Sequence, residues 1–367
     1  MPSIYIVASE LTYRPKACNT QYFWVHFCNM SLAPKIIFVP NWLGDCVMAL
    51  PAVSELVRQS QQDGFEVELA AKSKVADFWT IVPGIKKIHK LSSSTFSFFS
   101  DSRALRKECY QTAYLLPRTF RSALTAKFSA VQKIIGFASA GFVSNLYTVV
   151  VEDSQRAIEH QSRTYLRMFS KDIPAVIEYP QLDLPASMQT EVELLAGFKL
   201  EDFRTLCILP GAARGSSKRW PAERFAAVAS ELLNANQIDR VIVLGAVAES
   251  EVCEQVLANI RSEKVISLAG KTNLLQLCTF ISRASLVLCN DSGGMHLAAA
   301  FKRPLVAVFG ETDPTRTGPL GAQSVVVQRS SRVSTKISAE SKTATEALLR
   351  VQVADVLEAI TSNQLLG

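Results

Sequence analysis

From residue 35 the chain alternates short apolar runs with longer stretches whose apolar residues return every three or four positions. KIIFVP (35–40) and FEVELAA (65–71) have the length and composition of buried strands, and between them NWLGD opens a helix through VMALPAVSELVRQ. YQTAYLLP (110–117) reads as a strand and FRSALTAKFSA as the helix after it, with the Ser/Phe-rich SSSTFSFFSDS (92–102) as a loop. Residues 172–190 carry Pro174, Pro180 and Pro185 and no helical period, which predicts a linker and a boundary near residue 185.

The second half repeats the pattern. TLCILPG (205–211) is a strand ending in a glycine turn. Pro221 then opens a helix with Phe225, Val228, Ala229, Leu232 and Leu233 on one face. RVIVLG (240–245), KVISLAG (264–270), ASLVLCN (284–290) and PLVAVFG (304–310) read as strands, GMHLAAAF as a short helix, 324–345 as a polar loop and 344–360 as one closing helix. Such alternation predicts an α/β chain of two Rossmann-like, doubly wound domains, with a cleft at the carboxyl ends of their strands. The expected units are an N-terminal extension over 1–29, domains over 30–185 and 186–345, and a C-terminal helix over 346–367.

Composition narrows the class. Of 367 residues, 48 % are hydrophobic and 20 % charged, which excludes a disordered chain, and no apolar run reaches the ~20 residues a spanning helix needs. The net charge of +6 comes without any block of like charge, so nucleic acid is not an expected partner. The eight cysteines lack ligand spacing and several sit in apolar runs, as Cys207 and Cys289 do. They read as buried free thiols, with neither disulfides nor zinc. The first 29 residues lack the order of a signal peptide, and Met30, just before the first structural signal, is a candidate native start.

Three stretches carry candidate chemistry. In PNWLGDCVMALP (40–51), Asp45 at a helix start reads either as an N-cap or as a carboxylate facing the cleft. In LPGAARGSSKRWPAERF (209–225), small residues beside Arg214, Lys218 and Arg219 suit an anion, without Walker A spacing; an ordinary loop is the alternative. In NDSGGMHLAAAF, Asp291, Ser292, Gly293 and Gly294 precede a helix containing His296. Free N–H groups at such a start suit a diphosphate, to which His296 can donate; a structural histidine is the alternative.

Together with LPRTFRSAL (116–124), EHQSRTYL (159–166) and the continuation through FGETDPTRTGPLG, these stretches resemble the bacterial ADP-heptose:lipopolysaccharide heptosyltransferases, nearest to the heptosyltransferase II branch, from Met30 to the last helix. The resemblance implies a GT-B fold and inverting, metal-independent transfer of heptose from ADP-heptose to the inner core of lipopolysaccharide, with no cofactor. It implies Asp45 as general base and Lys218, Asp291, Ser292, Gly293 and His296 around the donor diphosphate. Glu249 is implied at the ribose and Thr272 near the adenine. Arg118 and Arg121 are candidates for an anionic lipid A–Kdo–heptose acceptor, or solvated helix charges. The expected place is the cytoplasmic face of the inner membrane, peripherally bound. The chain departs from the family at Gly294, where a larger apolar residue is usual, and after GPLG, where the branch commonly carries a cysteine. Alternatives are another acceptor or core position within the family, a non-catalytic nucleotide-sugar-binding protein, or an epimerase of the same fold.

Overall fold

The computed structural model describes residues 34–366 apart from Thr95, Phe96, Ala140, Ala157, Arg214, Ser331, Thr335 and Lys336. The extension over 1–29, the candidate start Met30, Cys18, Cys28 and Arg214 therefore lie outside the described residues. Two six-stranded sheets form the framework, and every strand pair in them is parallel. The first contains β1 (Lys35–Phe38), β2 (Val67–Lys72), β3 (Ile85–Leu91), β4 (Thr112–Leu115), β5 (Lys133–Phe137) and β6 (Val149–Val151), in the order β3-β2-β1-β4-β5-β6. The second contains β7 (Thr205–Leu209), β8 (Arg240–Val243), β9 (Val265–Ser267), β10 (Leu286–Asn290), β11 (Leu305–Phe309) and β12 (Ser324–Gln328), in the order β12-β11-β10-β7-β8-β9. The two orders are the same winding repeated. Parallel neighbours need a crossover, and the helices supply it.

β7, β10 and β11 are buried along their whole length, as strands covered on both faces must be. One apolar cluster runs from Val53, Tyr165 and Leu166 of the first half to Leu209, Met295 and Leu297 of the second, so the halves share core. The extended segment between them joins it through buried Tyr179, and the Asp183 amide donates to the Ile81 carbonyl at 2.8 Å.

Several expectations change. The stretch 92–102 is not all loop, because the helix Phe98–Arg106 begins within it. The polar stretch 324–345 contains β12 and the start of the helix Lys342–Arg350. The closing helix is two helices, Lys342–Arg350 and Val353–Ser362, because Val351 and Gln352 turn extended and the Trp220 indole N–H donates to the Val351 carbonyl at 3.0 Å. Cys46, Cys207, Cys253, Cys278 and Cys289 form no disulfide. All five are buried, whereas Cys109 lies exposed in a turn with φ 55°.

Far from the carboxyl edge, Glu68 on β2 is 4 % exposed and accepts from the Tyr110 hydroxyl and, at 2.9 Å, pairs with His89 Nε2. Burial pushes the Glu68 carboxyl up, but the hydrogen bonds from His89 and Tyr110 outweigh it and hold it below the usual range. A carboxyl depressed on folding stabilises above its unfolded value, about 4.3, and loses that contribution as pH falls through the folded one. Tyr110→Phe is expected to destabilise the protein by about 1–3 kcal/mol at neutral pH. In urea unfolding the deficit should shrink in acid, as Glu68 is protonated in both proteins; a deficit independent of pH would show that the charged carboxylate is not what Tyr110 supports.

Candidate active site

Strand order reverses between β1 and β4 in the first sheet and between β10 and β7 in the second. Open parallel sheets bind ligands at the carboxyl ends beside such reversals. The segments that follow these four strands are the ones singled out from the sequence: NWLGD after β1, PRTF after β4, the GSSK loop after β7 and NDSGG after β10.

The loop after β7 is held by its neighbours. Asn290, the fully buried last residue of β10, donates from its amide to the Pro210 carbonyl at 2.7 Å and accepts from the Trp220 amide at 3.0 Å, tying both ends of the loop. Gly215 has φ 105°, and a Cβ there would stand 2.6 Å from Ala339 Cβ, so only glycine fits both the backbone and the neighbour. The Ser217 amide donates to the Ala339 carbonyl at 3.2 Å and its hydroxyl to the Ser338 carbonyl at 2.8 Å. The segment without the family's cysteine thus packs on this loop. So fixed, Lys218 forms an ion pair with Asp291, the pair largely buried.

Asp291 leads into the helix Gly293–Ala300. Ser292 occupies the N-cap position in extended conformation, yet its hydroxyl makes no capping bond to the first amides of this helix. Gly294 lies against Leu209 of β7, and a Cβ there would collide with the leucine's Cδ2, so this chain seats the helix closer to β7 than a larger residue would.

The second wall belongs to the helix Leu43–Asp63. Its N-cap is Trp42, not Asp45; Asp45 is its third residue, in the first turn. Asp45 is therefore not the N-cap residue, and a carboxylate in the first turn favours the helix start electrostatically. The two helix starts meet. A Cβ on Gly293 would be 3.4 Å from the Gly44 amide, and one on Gly44 would be 2.9 Å from His296 Cδ2. Asp45 is therefore next in chain to the residue that touches the helix Gly293–Ala300. Its charge, after burial, raises the Tyr165 hydroxyl well above its usual pKa, with Arg118 and Arg156 opposing, so these groups share one neighbourhood.

His296 is 4 % exposed and its Nδ1 has no hydrogen-bond partner. Burial lowers its pKa to about 4, against the pull of Asp291 and helped by His160 and Lys218. It is a neutral imidazole at physiological pH, able to exchange one hydrogen bond and carrying no charge.

The remaining expected residues are spread more widely. The Glu249 carboxylate lies over Gly211, where the Lys218 loop begins, and accepts from the Ala246 amide at 2.9 Å. Thr272 is half-buried and follows the edge strand β9 in the chain. Arg118 pairs with Asp153, donates to the Ala138 carbonyl and lies over the Phe137 ring, 4.7 Å from its centroid. Arg121 donates to the Ser92, Ser93 and Ser94 carbonyls and to the Ser97 hydroxyl, and pairs with Asp101 at 3.1 Å, so its guanidinium holds a loop.

Sequence reasoning missed Asn290, Tyr165 and two links between the halves. His160 accepts the Ser162 amide at Nδ1 and therefore carries its proton on Nε2, which donates to the Gly318 carbonyl at 3.0 Å. Arg316 donates to the Arg156 carbonyl at 2.8 Å. Asn290 had a signal, a polar residue closing an apolar run. The links end on backbone carbonyls, which every residue has, and gave none.

Comparison with known proteins follows this geometry. The model of glycosyltransferase family 9 (heptosyltransferase) matches residues 99–346. Lipopolysaccharide heptosyltransferase 2 of Salmonella typhimurium is 27 % identical over 311 residues, 80 % of this chain and 88 % of that protein. Lipooligosaccharide heptosyltransferase 2 of Campylobacter jejuni is 31 % identical over 288 residues, covering 77 % and 82 %. Among solved structures, the ADP-heptose lipopolysaccharide heptosyltransferase II of E. coli superposes with a TM-score of 0.78 over 91 % of this chain and 98 % of that one, at 23 % identity. The fold is the expected GT-B fold.

The buried imidazole makes stability depend on pH. His296 titrates at about 4 when folded against 6.5 in a free chain, so between those values the unfolded state binds the extra proton. Its contribution is complete above pH 6.5 and is lost as pH falls towards 4, by roughly 2–4 kcal/mol. His296→Gln should flatten that part of the wild-type stability curve in urea titrations. Parallel curves for the two proteins would mean that His296 is protonated or solvated in the fold.

Proposed function

The chain belongs to glycosyltransferase family 9, the heptosyltransferases, and from that premise we propose that it transfers heptose from ADP-heptose to the inner core of lipopolysaccharide, inverting the anomeric carbon. It is a glycosyltransferase. The observation that carries the residue-level reading is the contact of Gly44 with Gly293 and His296, which sets Asp45 beside the uncapped helix start. In this reading residues 30–185 receive the acceptor and 186–345 the donor.

The donor's diphosphate lies at the amides of Ser292 and Gly293, with Lys218 beside it. Lys218 is then shared between the phosphates and Asp291, which holds the ammonium in place when the site is empty. An acceptor hydroxyl attacks the anomeric carbon from the side opposite ADP; the new C–O bond forms as the bond to the diphosphate oxygen breaks. Asp45 takes the hydroxyl proton, and the leaving oxygen's charge falls on Lys218 and the helix amides, which need not reorient. The single hydrogen bond that His296 has to offer suits the same diphosphate. The chain has no DxD sequence for a cation bridging sugar and phosphates, so these groups take that role in the proposed reaction. Glu249 and Thr272, at the β8 and β9 end of the sheet, are assigned to the ribose and adenine. Of the two arginines assigned to the acceptor, Arg118 has the better claim, because it shares the Asp45 neighbourhood while Arg121 is fully engaged. Among the described residues no helix is long and apolar enough to cross a membrane. The acceptor is carried in one, so the enzyme would meet it at the cytoplasmic face of the inner membrane.

Asp45→Asn should lower turnover by about 10²–10⁴-fold with ADP-heptose affinity unchanged; transfer at the wild-type rate would remove Asp45 as base. Lys218→Ala should weaken donor binding by about tenfold or more, read by calorimetric titration with ADP-heptose. Mass spectrometry of lipopolysaccharide from a strain lacking this chain should show a core short of one inner heptose, and an intact core would sink the substrate assignment.

A further inference from the structure

Several aromatic rings of the first half are exposed. Phe99, Phe120 and Phe142 follow the carboxyl ends of β3, β4 and β5, and they are 60 %, 53 % and 81 % exposed. Phe128, on the helix that Phe120 begins, is 51 % exposed, and its ring lies 5.8 Å from that of Phe99. The helices Phe98–Arg106 and Phe120–Phe128 pack together through the Ser102 hydroxyl, 3.1 Å from the Thr125 carbonyl, and through the Phe128 ring, yet Phe99 and Phe128 stay more than half exposed. A chain that faced only water would seldom leave so much aromatic surface in one region.

The groove between Phe99 and Phe128 is lined by Arg103, Arg106 and Lys107, and among the described residues none of the three has an ion-pair partner. The nearby carboxylates are engaged elsewhere, Asp101 with Arg121 and Glu108 with Lys87. Rings beside uncompensated cations match the chemistry of an anionic lipid surface, where phosphates meet the cations and rings enter the boundary between headgroup and acyl chain. A second copy of the chain fits less well, because a two-fold contact would set the three cations against their own equivalents.

We propose that the face formed by Phe99, Phe128, Arg103, Arg106 and Lys107 docks the enzyme on an anionic membrane surface. Its purpose rests on the lipid-borne acceptor proposed above, but the docking does not depend on catalysis. The test is sedimentation of the full chain with phosphatidylcholine vesicles, with and without phosphatidylglycerol, at low and high salt. Binding should require phosphatidylglycerol and weaken with salt. Each cation near such a surface strengthens binding about fivefold, so Arg103→Gln, Arg106→Gln and Lys107→Gln together should weaken it about a hundredfold. Phe99→Ser with Phe128→Ser should weaken it about tenfold. Both variants should keep wild-type ADP affinity and wild-type transfer to a deacylated, water-soluble acceptor, which separates lost docking from misfolding. The proposal is overturned if the wild type ignores anionic vesicles, if either variant binds them as the wild type does, or if the substitutions instead dissolve a dimer. Absence of transfer by the wild type would count against the proposed function, while the vesicle result alone still decides the docking face.

Discussion

Two helix starts, neither capped by the side chain at its N-cap position, come into close contact, and Gly44 and Gly293 make the approach possible by bringing no side chain to the seam. The ends that meet carry partial positive charge of the same sign. What offsets it is Asp45 in the first turn of one helix and Asp291 just before the other, the latter tied to Lys218. The arrangement is matched to an anion that can occupy the seam. In the proposed reading a diphosphate does this with its leaving oxygen towards the second half, and the first half supplies the Asp45 carboxylate to an incoming hydroxyl. The proposed displacement therefore follows from where two helices begin.

The rest of the second half holds that seam in register. Asn290 fastens both ends of the loop carrying Lys218, and Ser338 and Ala339 fasten its middle. Lys218 thus stays at Asp291 without help from ligand. His160 and Arg316 reach the other half's backbone beside the same cleft, and the shared apolar cluster lies beneath. Opening the cleft would have to break these links.

The sequence revealed the central strands best. β7, β10 and β11 are apolar throughout because helices cover both faces, and their signal is as strong as a strand can give. β3, IKKIHKL, escaped because it is the edge strand of its sheet and alternates with lysines that reach water. The break at Val351 escaped for another reason: both flanking segments are amphipathic, and what stops the first is a hydrogen bond from Trp220, over a hundred residues away. At the site, the motif residues were legible as residue types. That Asp45 is the third residue of its helix and not its cap depends on where the backbone turns, which Trp42 marks only in three dimensions.

The central claim is that the donor's diphosphate lies at the Gly293 helix start with its sugar facing Asp45. A crystal structure with a slowly reacting ADP-heptose analogue tests this most directly. It should show phosphate oxygens within hydrogen-bond reach of Lys218 Nζ and the Ser292 or Gly293 amides, with the anomeric carbon turned to Asp45 and the diphosphate on its far side. A diphosphate seated away from that helix start, or an Asp45 carboxylate on the same side of the anomeric carbon as the diphosphate, would contradict the account.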